Sequence, residues 1–199
     1  YAANAVKSPE YARWWGQKIC PVGTLRHAIL SGEDLASIKA KMASGEYELE
    51  DGQGYLPDNA GREGNASDFA STGRPEPLIH LAIKRPNVLR YLISLGAKVD
   101  VRNKYGKTAL MAAAQRDLLE SVKTLIEAGA DVNASTSYGL EFGPRTPLIY
   151  GAGGIASFDV LNALVGAGAD IETADRAGNT AHDYLIGKRT DENLSLIHI

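Results

Sequence analysis

The chain has 199 residues, of which 44% are hydrophobic and 23% charged, a composition that suits one soluble domain or a short repeat array and excludes a fibrous protein. Its 21 Lys and Arg residues against 24 Asp and Glu residues give a net charge of −3, which lacks the basic excess typical of nucleic-acid-binding proteins. The single cysteine, Cys20, excludes an internal disulfide, and no apolar run reaches the roughly 20 residues that a membrane span needs.

The first segment, 1–22, is predicted to be an N-terminal capping helix. Ser8-Pro9-Glu10 is typical of a helix start, because proline is favoured in the first turn. Tyr11, Trp14 and Trp15 would then cover the residues that follow with an aromatic lid. The sequence does not decide the cellular compartment. The protein would be cytoplasmic, or periplasmic or otherwise exported if a signal peptide precedes Tyr1.

The next segments are a degenerate copy of a repeated unit, 23–45, and an acidic insertion, 46–75. The insertion holds seven acidic residues against two arginines, five glycines and few apolar residues, so we predict a flexible surface loop. A binding role for its apolar residues is the alternative, since insertions between repeats often lie on the binding face. The residues that this alternative would use are Tyr47, Tyr55, Leu56 and Phe69.

Two short sequence patterns recur in the same order from residue 76 onward. The first pattern occurs as Pro77–Ile79, Thr108–Met111 and Thr146–Ile149, and the second as Gly96–Asp100, Gly129–Asn133 and Gly168–Glu172. The unit is therefore about 33 residues long, and one copy is longer.

Each unit is predicted to fold as two short helices. Between Thr108 and Gly129 the apolar residues recur at three- and four-residue steps, which indicates one buried stripe per helix. Thr108 can cap the first helix, and Gly129 can end the second in a left-handed conformation. One such pair cannot bury its own apolar face, so neighbouring units must stack.

These patterns resemble the ankyrin repeat family, whose Gly-x-Thr-Pro-Leu-His and Gly-Ala-Asp-Val-Asn motifs are matched most fully between Gly106 and Asn133. The resemblance implies an all-α ankyrin-repeat solenoid of about four to five helix-turn-helix repeats, with β-hairpin fingers between them. The histidine that the family usually has after Leu is replaced by Ile79, Met111 and Ile149. The predicted units are 1–22 (capping helix), 23–45 (repeat 1), 46–75 (insertion), 76–105 (repeat 2), 106–138 (repeat 3), 139–177 (repeat 4, with a lengthened finger) and 178–199 (partial repeat and tail).

Patterns for catalysis, cofactors or metals are absent from the sequence. The four histidines His27, His80, His182 and His198 lack zinc-ligand spacing, and Gly151–Gly154 lacks the lysine and the strand of a phosphate-binding loop. Asp100, Asp131 and Asp170 belong to the second recurring pattern, where an acid can bond local backbone. We therefore predict no enzyme activity, no cofactor and no metal site.

The resemblance implies a protein-protein interaction scaffold that holds another protein on its concave and finger face. The predicted partner contacts are Arg102, Asn103, Lys104, Tyr105, Arg116, Ser137, Tyr138, Leu140, Phe142, Asp175 and Arg176. Arg102, Lys104 and Lys107 make one finger basic, which favours an acidic partner patch or the chain's own acidic insertion. Similar small bacterial ankyrin proteins inhibit or regulate co-encoded proteins, which is the narrower hypothesis for this chain.

An enzyme or small-ligand-binding protein is the alternative hypothesis. Its site would lie between the 46–75 insertion and the concave face and would use Asp51, Asp58, Glu63 or His80. The tail Leu194–Ile199 resembles translated adapter sequence and carries no functional argument.

Overall fold

The computed structural model describes residues 24–47, 49, 76–103, 105–136 and 143–192, with side chains through Gly187. The predicted capping helix 1–22, most of the 46–75 insertion and the tail lie outside the described residues. The helices in the described part are α1 (Leu25–Ser31), α2 (Leu35–Ala43), α3 (Leu78–Leu81, continued by a 3-10 helix Ala82–Lys84), α4 (Pro86–Ser94), α5 (Ala109–Gln115), α6 (Leu119–Glu127), α7 (Pro147–Gly153), α8 (Phe158–Gly166) and α9 (Ala181–Glu192). They form four helix pairs followed by one further helix.

The helices stack in two rows. The first helices of the pairs, α1, α3, α5 and α7, contact one another in series, and α9 continues this row. The second helices α4, α6 and α8 form the other row. This arrangement confirms the predicted all-α repeat solenoid, in which each unit buries its apolar stripe against the next.

Small and large apolar residues share the core between these rows. Ala112, Ala113 and Ala114 are buried on α5, so neighbouring first helices approach closely. Leu89 on α4 and Leu125 on α6 are completely buried on the second helices. Loss of one such leucine would leave a cavity that the stacked neighbours cannot easily close.

The helix ends follow the sequence signals. The Thr108 hydroxyl accepts a hydrogen bond from the Met111 N–H at 3.4 Å, and Thr146 caps α7 in the same way through the N–H of Ile149. Each bond satisfies an N–H group that the first turn leaves without an intrahelical partner. Gly129 follows α6 with a φ of 82°, a conformation that glycine adopts without steric cost. The predicted cap and helix end at these two positions are confirmed.

Polar side chains also join neighbouring repeats. The Asp100 carboxylate accepts the N–H of Asp131 at 3.2 Å, and one repeat later the Asn133 side-chain oxygen accepts the N–H of Asp170 at 2.8 Å. Asp170 in turn accepts the N–H of Glu172 at 2.9 Å. Asp100 and Asp170 therefore bond backbone, as predicted, and Asp100 and Asn133 each connect one repeat to the next.

Two observations differ from what the sequence suggested. His80 lies one residue after Ile79, which occupies the usual histidine position of the family, and it forms a buried hydrogen bond to the neighbouring finger, with Nε2 2.8 Å from the carbonyl oxygen of Val101. Tyr47 is only 5% exposed, and its hydroxyl donates to Glu33 at 3.0 Å. Tyr47 thus packs on the first repeat and is not an exposed contact of the insertion, because its ring and hydroxyl both find partners there. Tyr55, Leu56 and Phe69 lie outside the described residues.

Candidate functional site

Three fingers connect the successive helix pairs and lead into α5, α7 and α9. We call them finger A (101–107), finger B (134–146) and finger C (173–180); residues 104 and 137–142 lie outside the described part. Each finger is closed by a backbone hydrogen bond, for example from the Asn103 N–H to the Lys107 carbonyl at 2.9 Å and from the Asp175 N–H to the Asn179 carbonyl at 2.9 Å. The fingers are therefore fixed at their bases.

One buried polar residue fixes each finger from inside. Asn103, Thr136 and Asp175 occupy this position and are 5%, 1% and 6% exposed. The Asn103 side-chain oxygen accepts the N–H groups of Tyr105 and Lys107, at 3.0 and 3.1 Å. Asp175 accepts N–H groups two and four residues ahead in the same way, at 2.9 and 3.1 Å. Turn-forming side chains of this kind replace backbone partners that a loop cannot supply.

Finger C carries a further cluster of Arg145, Asp175 and Tyr184. The Tyr184 hydroxyl donates to Asp175 Oδ2 at 2.5 Å, Arg145 Nη2 lies 3.3 Å from the same oxygen, and Arg145 also donates to the Tyr184 hydroxyl. Burial alone raises the pKa of Asp175, but hydrogen bonds from Tyr184, the finger N–H groups and Arg145 outweigh it and hold this pKa below its usual value. The cluster therefore joins finger B, finger C and α9 through an ionised carboxylate.

The predicted contact residues separate into buried and exposed groups. Asn103 and Asp175 are buried and bonded within their fingers, and Arg102 donates to the carbonyl groups of Gly106 and Ser135 at 2.8 and 2.7 Å. Tyr105, Arg116 and Arg176 are exposed. The remaining predicted contacts lie outside the described residues: Lys104, Ser137, Tyr138, Leu140 and Phe142. The structure thus leaves Tyr105, Arg116 and Arg176 as the accessible members of the described set.

Lys107, which the sequence analysis placed in a basic finger, also contacts residues of α5 and α7 that the sequence did not connect with it. Lys107 Nζ donates to Gln115 Oε1 at 2.9 Å and lies 4.2 Å from the centre of the Tyr150 ring on α7. Burial, and then the charges of Arg116 and Arg145, lower the pKa of Lys107. The sequence feature that could have predicted these contacts is the position of Lys107 directly before the Thr108 cap. A long side chain at this position can lie along α5, where the alanine side chains are small.

The alternative hypothesis of an enzyme or ligand-binding site depends on His80 and on acidic residues of the insertion. Within the described part of the chain no group of three or more His, Cys, Asp or Glu side chains could hold a metal ion. His80 is buried, and burial lowers its pKa against the opposing effects of the Val101 carbonyl and Glu76. Asp51, Asp58 and Glu63, the acids of the alternative hypothesis, lie outside the described residues. Among the described helices, none is long and apolar enough to cross a bilayer.

The comparisons with known proteins agree with this geometry. Residues 59–136 match the family model described as ankyrin repeats in three copies. A human protein named ankyrin repeat domain-containing protein 63 is 28% identical over 123 residues, and its mouse counterpart is equally similar. The match covers 60% of this chain but only 30% of the human protein and 29% of the mouse protein. This chain therefore spans less than a third of the length of these relatives.

Proposed function

Because residues 59–136 match the ankyrin repeat family, we propose that the chain is a non-enzymatic module that binds a partner protein. Ankyrin repeats generally serve as protein-protein interaction modules. The partner would contact the exposed residues of the fingers together with the residues that directly follow the first helices, such as Arg116 after α5. We call this surface the finger face, and in the described residues it includes Tyr105, Lys107, Arg116 and Arg176.

The observation that carries the proposal is that the buried residues of the fingers fix their conformation, while other finger residues remain exposed. Asn103, Thr136 and Asp175 hold the finger bases in place, while the side chains of Tyr105 and Arg176 are exposed. Aromatic residues and arginine are the side chains most enriched among residues that dominate binding energy. A rigid base also lowers the ordering cost that flexible loops pay on binding.

Capture of a partner by matched variants tests this proposal. The finger-face variant carries Tyr105→Ala, Arg116→Ala and Arg176→Ala, and the control variant carries Glu120→Ala, Lys123→Ala and Glu127→Ala on α6. Both sets are exposed, so neither should disturb the core. We expect a partner to be retained by the native chain and the α6 variant and lost by the finger-face variant. Equal capture by both variants would contradict the proposal.

The narrower role is inhibition or regulation of a co-encoded protein. The support for this part of the proposal is the resemblance of the sequence to the ankyrin repeat family, in which small bacterial members have such roles. Co-expression with the products of neighbouring genes, followed by co-purification, gives the direct measurement. If none of these products is retained, this narrower role is wrong while the general binding role stands.

A further inference from the structure

The finger face carries a small cationic site across α5 and α7. The Lys107 side chain lies along α5, where Nζ donates one hydrogen bond to Gln115 and sits above the Tyr150 ring. Tyr150 is 8% exposed, so its ring forms a fixed floor under the ammonium group. Arg116 follows Gln115 directly and is exposed at the end of the same helix.

The two cations of this site have no carboxylate partner among the residues that the structure describes. The ion pairs there involve other cations, which are Lys41, Lys123 and Arg145. An ammonium group has three donor hydrogens, and Lys107 gives one to Gln115. Lys107 is partly removed from water and lies near the charges of Arg116 and Arg145. The attraction of an anion bound here would offset both the cost of removing Lys107 from water and the repulsion between the cations.

On the basis of the binding role proposed above, we propose that Lys107 and Arg116 anchor a carboxylate side chain of an acidic segment in the partner protein. Lys107 supplies a donor that neither Gln115 nor the Tyr150 ring uses, Arg116 supplies a planar pair of donors, and Tyr150 and Gln115 hold Lys107 in place. A carboxylate fits two adjacent cations on a protein surface. A nucleic-acid backbone fits less well, because it needs a longer run of cations and the chain has a net charge of −3.

Binding of a short fluorescent oligoglutamate peptide tests the anchor, with oligoglutamine as the uncharged comparison. We expect the native chain to bind oligoglutamate at low salt and to lose affinity as salt rises. Lys107→Met and Arg116→Gln should each weaken binding roughly tenfold, because each removes a charged hydrogen-bond partner. Arg116→Lys should weaken binding less than Arg116→Gln, because it keeps the charge and loses only the planar pair of donors, and Lys123→Met on the exposed side of α6 should leave the affinity unchanged. Circular dichroism would check that each variant keeps the native helix content.

A second measurement reports on Lys107 itself. Carboxylate binding should raise the pKa of Lys107, which NMR can follow through the chemical shift of its side-chain carbon next to Nζ. If the peptide binds but this pKa stays constant, the carboxylate lies elsewhere and the anchor is wrong. A similar loss of affinity in Lys107→Met and Lys123→Met would also contradict it.

Three further results would overturn the inference. The first is no binding of oligoglutamate by the native chain, and the second is tighter binding of a single-stranded oligonucleotide than of the peptide. The third is a rise in peptide affinity when the acidic residues of 46–75 are changed to amides. Such a rise would mean that, in the native chain, these acidic residues compete with the peptide for Lys107 and Arg116. None of these results touches the general binding role, which the partner-capture experiment tests separately.

Discussion

Replacing Asp175 by asparagine should destabilise the C-terminal end of the array by about 2–3 kcal/mol. The Asp175 side chain is 1% exposed and that of Arg145 is 18% exposed. Removing one member of a buried ion pair costs about 3–5 kcal/mol, and the partial exposure of Arg145 lowers the expected cost. Asparagine would place an NH₂ group where Oδ2 now accepts from Tyr184 and Arg145. Arg145 would then lose its charged acceptor.

The finger itself should tolerate the change, because finger A has asparagine at the corresponding position. Asn103 accepts N–H groups two and four residues ahead, as Asp175 does, so the turn does not require a carboxylate. The loss at Asp175 should therefore come from the Arg145 and Tyr184 contacts. Tyr184→Phe, which removes only the hydroxyl, should cost about 1–2 kcal/mol.

Urea denaturation followed by circular dichroism measures these changes in the free energy of unfolding. In Asp175→Asn, amide hydrogen exchange should become faster in α9, which carries Tyr184, than in α6. The effect should stay local because each repeat contacts only its neighbours. The combined change Asp175→Asn with Tyr184→Phe should cost less than the sum of the two single changes, since both remove the same contact. A loss below about 0.5 kcal/mol for Asp175→Asn would refute the assigned role of the ion pair.

The other predictions concern packing, backbone conformation and acid sensitivity. Leu125→Ala should lower the free energy of unfolding by about 3 kcal/mol, because it opens a cavity in a fully buried position; a loss below about 1 kcal/mol would show that the repeats collapse onto it. Gly143→Ala should cost more than Gly129→Ala in the same assay. Both glycines have positive φ, but only at Gly143 would a Cβ meet a neighbour, lying 3.1 Å from the backbone nitrogen of Arg176; equal costs would contradict the described contact. Hydrogen bonds from Lys41 and Ser37 lower the pKa of Glu33 from 4.5 to about 2, so its stabilising effect is complete above pH 4.5 and lost as the pH falls towards 2. Thermal melts of Glu33→Gln should therefore depend less on pH in this range, and an unchanged dependence would contradict that contribution.

The helix pairs could be predicted because their cause is local and repeated. Three- and four-residue apolar steps fix the buried stripe, and Thr108 and Gly129 mark where the helices begin and end. The same signals recur one repeat apart, so each copy supports the interpretation of the next. The stacking then follows from the apolar area that one pair leaves uncovered.

The roles of the finger residues could not be predicted from their polarity. Asn103 and Asp175 were predicted to be exposed contacts, yet each turns inward to bond the N–H groups of its own finger. Asn103 with Gly106, and Asp175 with Gly178, share a three-residue spacing that is typical of such turns and that the sequence reasoning did not use. The Arg145 to Tyr184 contact lies 39 residues apart in the chain, so no local pattern reveals it.

Stability and partner binding should therefore depend on different polar residues, although both kinds lie on the same fingers. Asp175 has its hydrogen bonds satisfied within the fold, so its replacement changes the free energy of unfolding. Lys107 and Arg116 keep donors that no described carboxylate uses, so their replacement should change the affinity for an acidic partner and leave the helix content intact. A variant that lowered both quantities at Arg116 would show that this arginine also supports the fold. The exposed position of Arg116 at the end of α5 argues against such a role.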